Sequence, residues 1–159
     1  MQHAQTSSRF VYGDRAAAGR RAGFTLVEIL IVVVILGILA SVVVPQFARA
    51  TEQAKSDTTY SELQKIRRHI EIFKARNAGA MPAVIDNSVG DWGEIVGNQS
   101  QYLQGAPVNG HVGGGNAKKI RYGSGPDVTF QTDYGWIVDM TSGQVWAGSF
   151  DADDKPLSP

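Results

Sequence analysis

The 159-residue sequence contains no cysteine. Disulfides, cysteine metal sites and thiol catalysis are therefore excluded, while the compartment stays open. It also lacks net charge, with 15 basic side chains against 15 acidic ones. That balance argues against a whole-chain nucleic-acid binder. Histidine is scarce: His3, His69 and His111 form no pair at metal-ligand spacing, and each reads as an exposed polar residue. The motifs GxSxG, GxxxxGK and HExxH are missing, and Gly123-Ser124-Gly125 reads as a turn, so nothing marks an enzyme. Finally, no charged side chain occurs from residue 29 to residue 48.

That last absence defines the most informative stretch, RRAGFTLVEILIVVVILGILASVVVPQF, Arg20 to Phe47. About 20 apolar residues at ~1.5 Å each match a hydrocarbon core of roughly 30 Å. In lipid the backbone must satisfy its own hydrogen bonds, so the run is expected to be helical despite its β-branched residues. A cleaved signal peptide is the rival reading, with Ala48-Arg49-Ala50 as its cleavage site. The run is too long for one, and the sequence beyond it continues the helix. Arg20 and Arg21 precede the run, but Arg49, Lys55, Lys65, Arg67 and Arg68 follow it closely, so the basic count leaves topology undecided. A basic head with four arginines and one acid before Phe24 precedes a mildly acidic body.

Glu28 is the anomaly. A lone carboxylate at the centre of a span costs about 2.5–3.5 kcal/mol on insertion scales. Glu28 lies near the end, so it reaches the headgroups at lower cost, or it awaits a positive partner from another chain. Gly37 and Pro45 weaken a helix, through backbone freedom and a missing N–H respectively.

GFTLVEILIVVVILGILASVVVPQF closely resembles the amino-terminal segment of type IV pilins and of the pseudopilins of type II secretion. The resemblance covers residues 20–54. It implies cleavage by a membrane-embedded prepilin peptidase between Gly23 and Phe24, with N-methylation of Phe24. It makes Glu28 the fifth residue of the mature chain, where it neutralises a neighbouring subunit's terminal amine during assembly. Gly37 and Pro45 match the family's helix-weakening positions. The implied fold is α+β, the type IV pilin fold: a long amino-terminal helix packed on a small carboxy-terminal antiparallel sheet.

Downstream, Leu63, Ile66, Ile70 and Phe73 recur at intervals of three and four, one face of a helix. The helix is expected to stop near Asn77–Gly79, before Pro82, after more than 50 residues and about 80 Å. KIRRHIEIFKAR is basic, but Glu62 and Glu71 accompany it, so it reads as a solvated or inter-subunit face rather than a nucleic-acid patch. YLQGAPVNG, Tyr102 to Gly110, is similar to the segment preceding the sheet in major-pseudopilin-like proteins. Residues 118–122, 128–131, 134–140 and 144–149 are predicted strands, with Thr141-Ser142-Gly143 turning a closing hairpin. Trp136 and Trp146 are expected in the core or on the sheet face. Major pseudopilins bind calcium near here, but their acidic loop is not recognisable. Asp151, Asp153 and Asp154 are the hard-oxygen candidates, weighed against a frayed, solvated tail. The expectation is no cofactor.

The predicted organisation is a cleaved basic leader (1–23), a membrane or filament-core half-helix (24–48) and an amphipathic half-helix (49–78). A loop (79–117), the sheet (118–150) and a flexible acidic tail (151–159) follow. The resemblance implies a structural subunit of a type II secretion pseudopilus, a filament that drives protein secretion across the outer membrane. The alternative is a type IV pilus subunit for adhesion, motility or DNA uptake. Implied partners are the prepilin peptidase, further copies in a helical filament, minor pseudopilins and an inner-membrane assembly platform. The implied location is the bacterial inner membrane, single pass, amino terminus cytoplasmic and carboxy-terminal domain periplasmic, then a periplasmic or surface filament.

Overall fold

The computed structural model describes residues 23–97 and 100–159. Residues 1–22, which hold Arg9, Arg15, Arg20, Arg21 and His3 of the expected leader, lie outside the described residues. Helix α1 spans Leu26–Arg76. Its end follows from three local features. The Gly79 N–H donates to the Lys74 carbonyl at 2.8 Å, closing a terminal loop of the Schellman kind. Ala78 takes the left-handed φ of 52° that this closure demands. Lys74 and Arg76 place positive charge on the last turn, where the helix dipole favours it.

The chain divides into two compact units between Ser41 and Val42. Pro45 lies one helical turn further on and cannot donate to the Ser41 carbonyl. The helix nevertheless runs unbroken through Gly37 and Pro45. Among the described residues of the first unit the large apolar side chains are exposed, among them Leu30, Val34 and Ile38.

In the second unit α1 buries Ser56, Thr59, Leu63, Ile66, Ile70 and Phe73. The last four are the stripe predicted from the spacing. They join the core with the buried residues of three short strands: β1 (Ile120–Tyr122), β2 (Trp136–Val138) and β3 (Val145–Ala147). Fully burying each such aliphatic side chain contributes about 1.5–3 kcal/mol. The loop between helix and sheet adds Trp92 and Ile95, both fully buried. Trp92 meets Trp136 edge to face, 6.2 Å between ring centroids. Trp136 is buried, and Trp146 on the opposite sheet face is half-buried.

The sheet is mixed, which corrects the antiparallel expectation. β2 and β3 form the predicted hairpin, pairing Trp136 with Ala147 and Val138 with Val145. β1 instead pairs with β2 in parallel, Ile120 opposite Trp136. A parallel pair needs a long crossover, and residues 123–135 supply it. Residues 128–131 are accordingly not a strand. Their polar groups are satisfied by side chains rather than a ladder: the Gln131 N–H donates to Ser149 Oγ at 2.8 Å, and Ser149 Oγ donates back to the Gln131 carbonyl. The Asp127 carboxylate accepts from the Ser149 N–H and from Gln131 Nε2. β2 also stops short of the predicted residue 140. The Asp139 carboxylate accepts from the Thr141 N–H at 2.8 Å and the Ser142 hydroxyl at 2.7 Å, turning the chain early.

The acidic tail makes specific contacts with the rest of the second unit. Arg67 grips both carboxylate oxygens of Asp154 and donates from Nε to the Val145 carbonyl at 2.9 Å. Phe150 bridges to Pro156, and the Leu157 N–H donates to the Ser149 carbonyl. Removing Arg67 leaves the Val145 carbonyl and a half-buried carboxylate without their donor. Arg67→Ala is expected to lower stability by about 1–3 kcal/mol, read as a shift in urea midpoint.

Two histidines expected on the surface are half-buried. His111 is placed to donate from Nε2 to the Leu157 carbonyl at 2.9 Å, and its ring lies edge-on to Phe130 and Phe150. His69 lies edge-on to Tyr102, and its buried Nδ1 has no partner among the described residues. Burial first, and the Arg68 charge second, push the His69 pKa below its ordinary 6.5. The unfolded chain then takes up this proton more readily than the folded one. Its contribution to stability is complete above the ordinary value and falls as pH drops through it towards the lower folded value. His69→Gln should flatten the stability-versus-pH curve in that acid window, measured by urea unfolding across pH.

Candidate functional site

The predicted processing and assembly residues lie together at the head of α1. Gly23 and Phe24 precede the helix in irregular backbone, and Phe24 is 82% exposed. The bond between them is therefore free of helical hydrogen bonding, the condition in which a peptidase can engage a chain. A Cβ at Gly23 would meet nothing within 4 Å, so packing in this chain does not demand glycine there. A requirement for glycine would come from the protein that reads the site.

Glu28 sits in the first turn, and the structure gives it a partner within its own chain. Its Oε2 accepts from the Thr25 N–H and from Thr25 Oγ1, each at 3.2 Å. In return the Glu28 N–H donates to Thr25 Oγ1 at 3.2 Å. Thr25-Leu26-Val27-Glu28 is thus a capping box, in which two orphan donors at the helix start are satisfied reciprocally. The helix dipole adds to the effect, since its amino-terminal end favours negative charge. Thr25 was not singled out by the sequence reading, although the spacing Thr-x-x-Glu before an apolar run is the signature of such a box.

Chemically the box does two things. It offsets part of the cost of the carboxylate, and it fixes Glu28 three residues from Thr25 and one helical turn from Phe24. Cleavage before Phe24 would create an α-amine with an ordinary pKa of about 7.7–8.0, largely positive at neutral pH. The Oε1 atom of Glu28 accepts no hydrogen bond among the described residues, so the carboxylate retains capacity for a cation.

From Leu26 onward the helix is the one element among the described residues long and apolar enough to cross a membrane. The calcium candidates are not gathered into a site. Asp154 is held by Arg67, Asp151 Oδ1 accepts from the N–H groups of Asp153 and Lys155, and Asp153 faces the Lys155 ammonium. Among the described residues no three His, Asp or Glu side chains cluster for a metal.

Comparison with known proteins converges on the same segment. A model of the prokaryotic N-terminal methylation motif matches residues 19–44. Type II secretion system core protein G of Pseudomonas aeruginosa is 33% identical over 96 residues, 57% of this chain and 68% of that protein. The proteins of the same name from Aeromonas hydrophila and Klebsiella pneumoniae are 40% and 41% identical over 58 and 59 residues. Those matches cover 36% and 37% of this chain, and 41% and 42% of the relatives' own lengths. No solved structure matches. With its methylation motif, its pilin-like α+β fold and this similarity across two-thirds of a relative, the chain belongs to the family of type II secretion system core protein G, the major pseudopilins.

Proposed function

We propose that this chain is the structural subunit of a type II secretion pseudopilus, stored in the inner membrane and polymerised into a fibre that moves secreted proteins. The observation that carries the reading is the composite head of α1. An accessible Gly23–Phe24 bond, a capped carboxylate at Glu28 and an exposed apolar helix follow one another without interruption. Each part has a role. A prepilin peptidase cuts before Phe24 and methylates the new amine. The apolar half of α1 holds the subunit in the bilayer with the carboxy-terminal unit on the periplasmic side. Glu28 then meets the terminal amine of a neighbouring subunit. Two mutually neutralising charges cost much less in a low-dielectric setting than either alone, so correct docking relieves the penalty. Gly37 and Pro45 are the positions at which the helix loosens on leaving the lipid. Minor pseudopilins and an inner-membrane platform complete the assembly.

Mass spectrometry of the mature amino terminus tests the processing step. The expected terminus is N-methylated Phe24. A terminus at Met1, or one retaining Arg20, in cells with an active prepilin peptidase would overturn it.

A further inference from the structure

Asn109 is followed by Gly110, the pairing most open to deamidation, because a glycine offers no side chain to crowd ring closure and leaves the backbone supple. Yet Asn109 is fully buried. Its Nδ2 donates to the carbonyls of Gly135 and Gly148 at 2.8 and 2.9 Å. Its Oδ1 accepts from Thr59 Oγ1, the His111 N–H and the Val112 N–H at 3.3, 3.0 and 3.0 Å. Its own N–H donates to the Ala117 carbonyl at 2.8 Å. One side-chain amide therefore ties α1 to the loop and to the entry of β2 and the exit of β3.

We propose that Asn109–Gly110 is a fold-guarded deamidation site, inert in the folded subunit and a one-way chemical trap for chains that stay unfolded. In the open chain the Gly110 backbone nitrogen attacks Cγ of Asn109. A carbon–nitrogen bond forms, the Nδ2 group leaves as ammonia with the proton released from Gly110, and a succinimide remains. Water opens the ring at either carbonyl, giving aspartate or isoaspartate. The net change is amide plus water to carboxylate plus ammonium, with no oxidation. In the fold the reaction requires the side chain to rotate, which breaks its five hydrogen bonds together. The product cannot rebuild the junction. A carboxylate has no N–H to offer the Gly135 and Gly148 carbonyls, and it brings negative charge against them. Isoaspartate also lengthens the backbone by one methylene.

The test incubates the full chain in detergent, folded and in concentrated guanidinium, at mildly alkaline pH. Peptide mapping by mass spectrometry follows conversion at Asn109 and, as a reference, at the exposed Asn87–Ser88. Conversion at Asn109 relative to Asn87 is expected to be on the order of a hundredfold slower in the folded chain, the factor set by its open population. Gly110→Ala should slow conversion in guanidinium while folding normally, since its Cβ would meet Lys55 at an ordinary 3.6 Å. Asn109→Asp should lose the folded state's cooperative urea transition or shift it strongly downward. Equal relative conversion in both states, or an Asn109→Asp midpoint matching wild type, would overturn the proposal.

Discussion

Glu28→Gln subunits are expected to be cleaved, methylated and inserted normally, and to form no fibres. Glutamine is chosen because it can still close the capping box with Thr25, so the start of α1 survives while the charge is lost. Glu28→Ala removes both and should give the same loss of fibres. The physical basis is differential. A carboxylate in or near lipid carries a penalty of up to about 2.5–3.5 kcal/mol. The Thr25 box and the helix dipole offset part of it in a stored subunit. In the assembly proposed above, a cation offsets the rest, and that cation is the new amine on Phe24 of a neighbour. Removing the charge makes membrane storage easier and removes the gain from docking. The assay is electron microscopy of fibres with immunoblotting of the processed subunit in the membrane. Wild-type fibre yield from Glu28→Gln would show that the charge does not govern assembly.

Asn109→Ala is the substitution with the largest expected effect on folding. The Gly148 carbonyl and the Val112 N–H lose the side-chain partner that serves them, each at a cost of about 1–3 kcal/mol when buried. Two neighbours show why the geometry has no slack. A Cβ at Gly135 would stand 2.3 Å from the Ala117 carbonyl oxygen, and one at Gly148 would stand 2.3 Å from that of Tyr134. Both glycines let the backbone close onto Asn109 so that one amide reaches two carbonyls. The combined loss is expected at about 3–5 kcal/mol, a large share of a small domain's 5–15. Urea unfolding of the full chain in detergent reads it. A shift no larger than that of Arg67→Ala would contradict the role given to Asn109.

The parts of this molecule that were legible in the sequence are those with long periodicity or a specific motif. Leu63, Ile66, Ile70 and Phe73 repeat over three turns, so their common face was unambiguous. Thr141-Ser142-Gly143 between two apolar runs announced the hairpin, and the Gly23–Glu28 pattern announced the family. What escaped is carried by single long-range contacts. β1, β2 and β3 have three residues each, too few for alternation to encode partner or direction. Residues 128–131 look like a strand, but Asp127, Gln131 and Ser149 satisfy that segment through side chains. The tail reads as frayed by composition, and the residues that hold it are distant in sequence: Arg67 on the helix grips Asp154, and His111 meets the Leu157 carbonyl. Asn109 in PVNG carries a turn signature, and nothing local says that it is buried. Thr25 is the exception: its capping box was readable, but an apolar span draws attention to insertion rather than to the helix start.

The central claim is that this subunit works in protein secretion as a polymer. The most direct measurement compares the secreted proteins and the surface fibres of a strain lacking this chain with those of its parent. The account predicts that secreted proteins accumulate inside the deletion strain, that surface fibres are unchanged, and that the wild-type chain but not Glu28→Gln restores secretion. Intact secretion together with loss of surface fibres would contradict it and assign the chain to a type IV pilus instead.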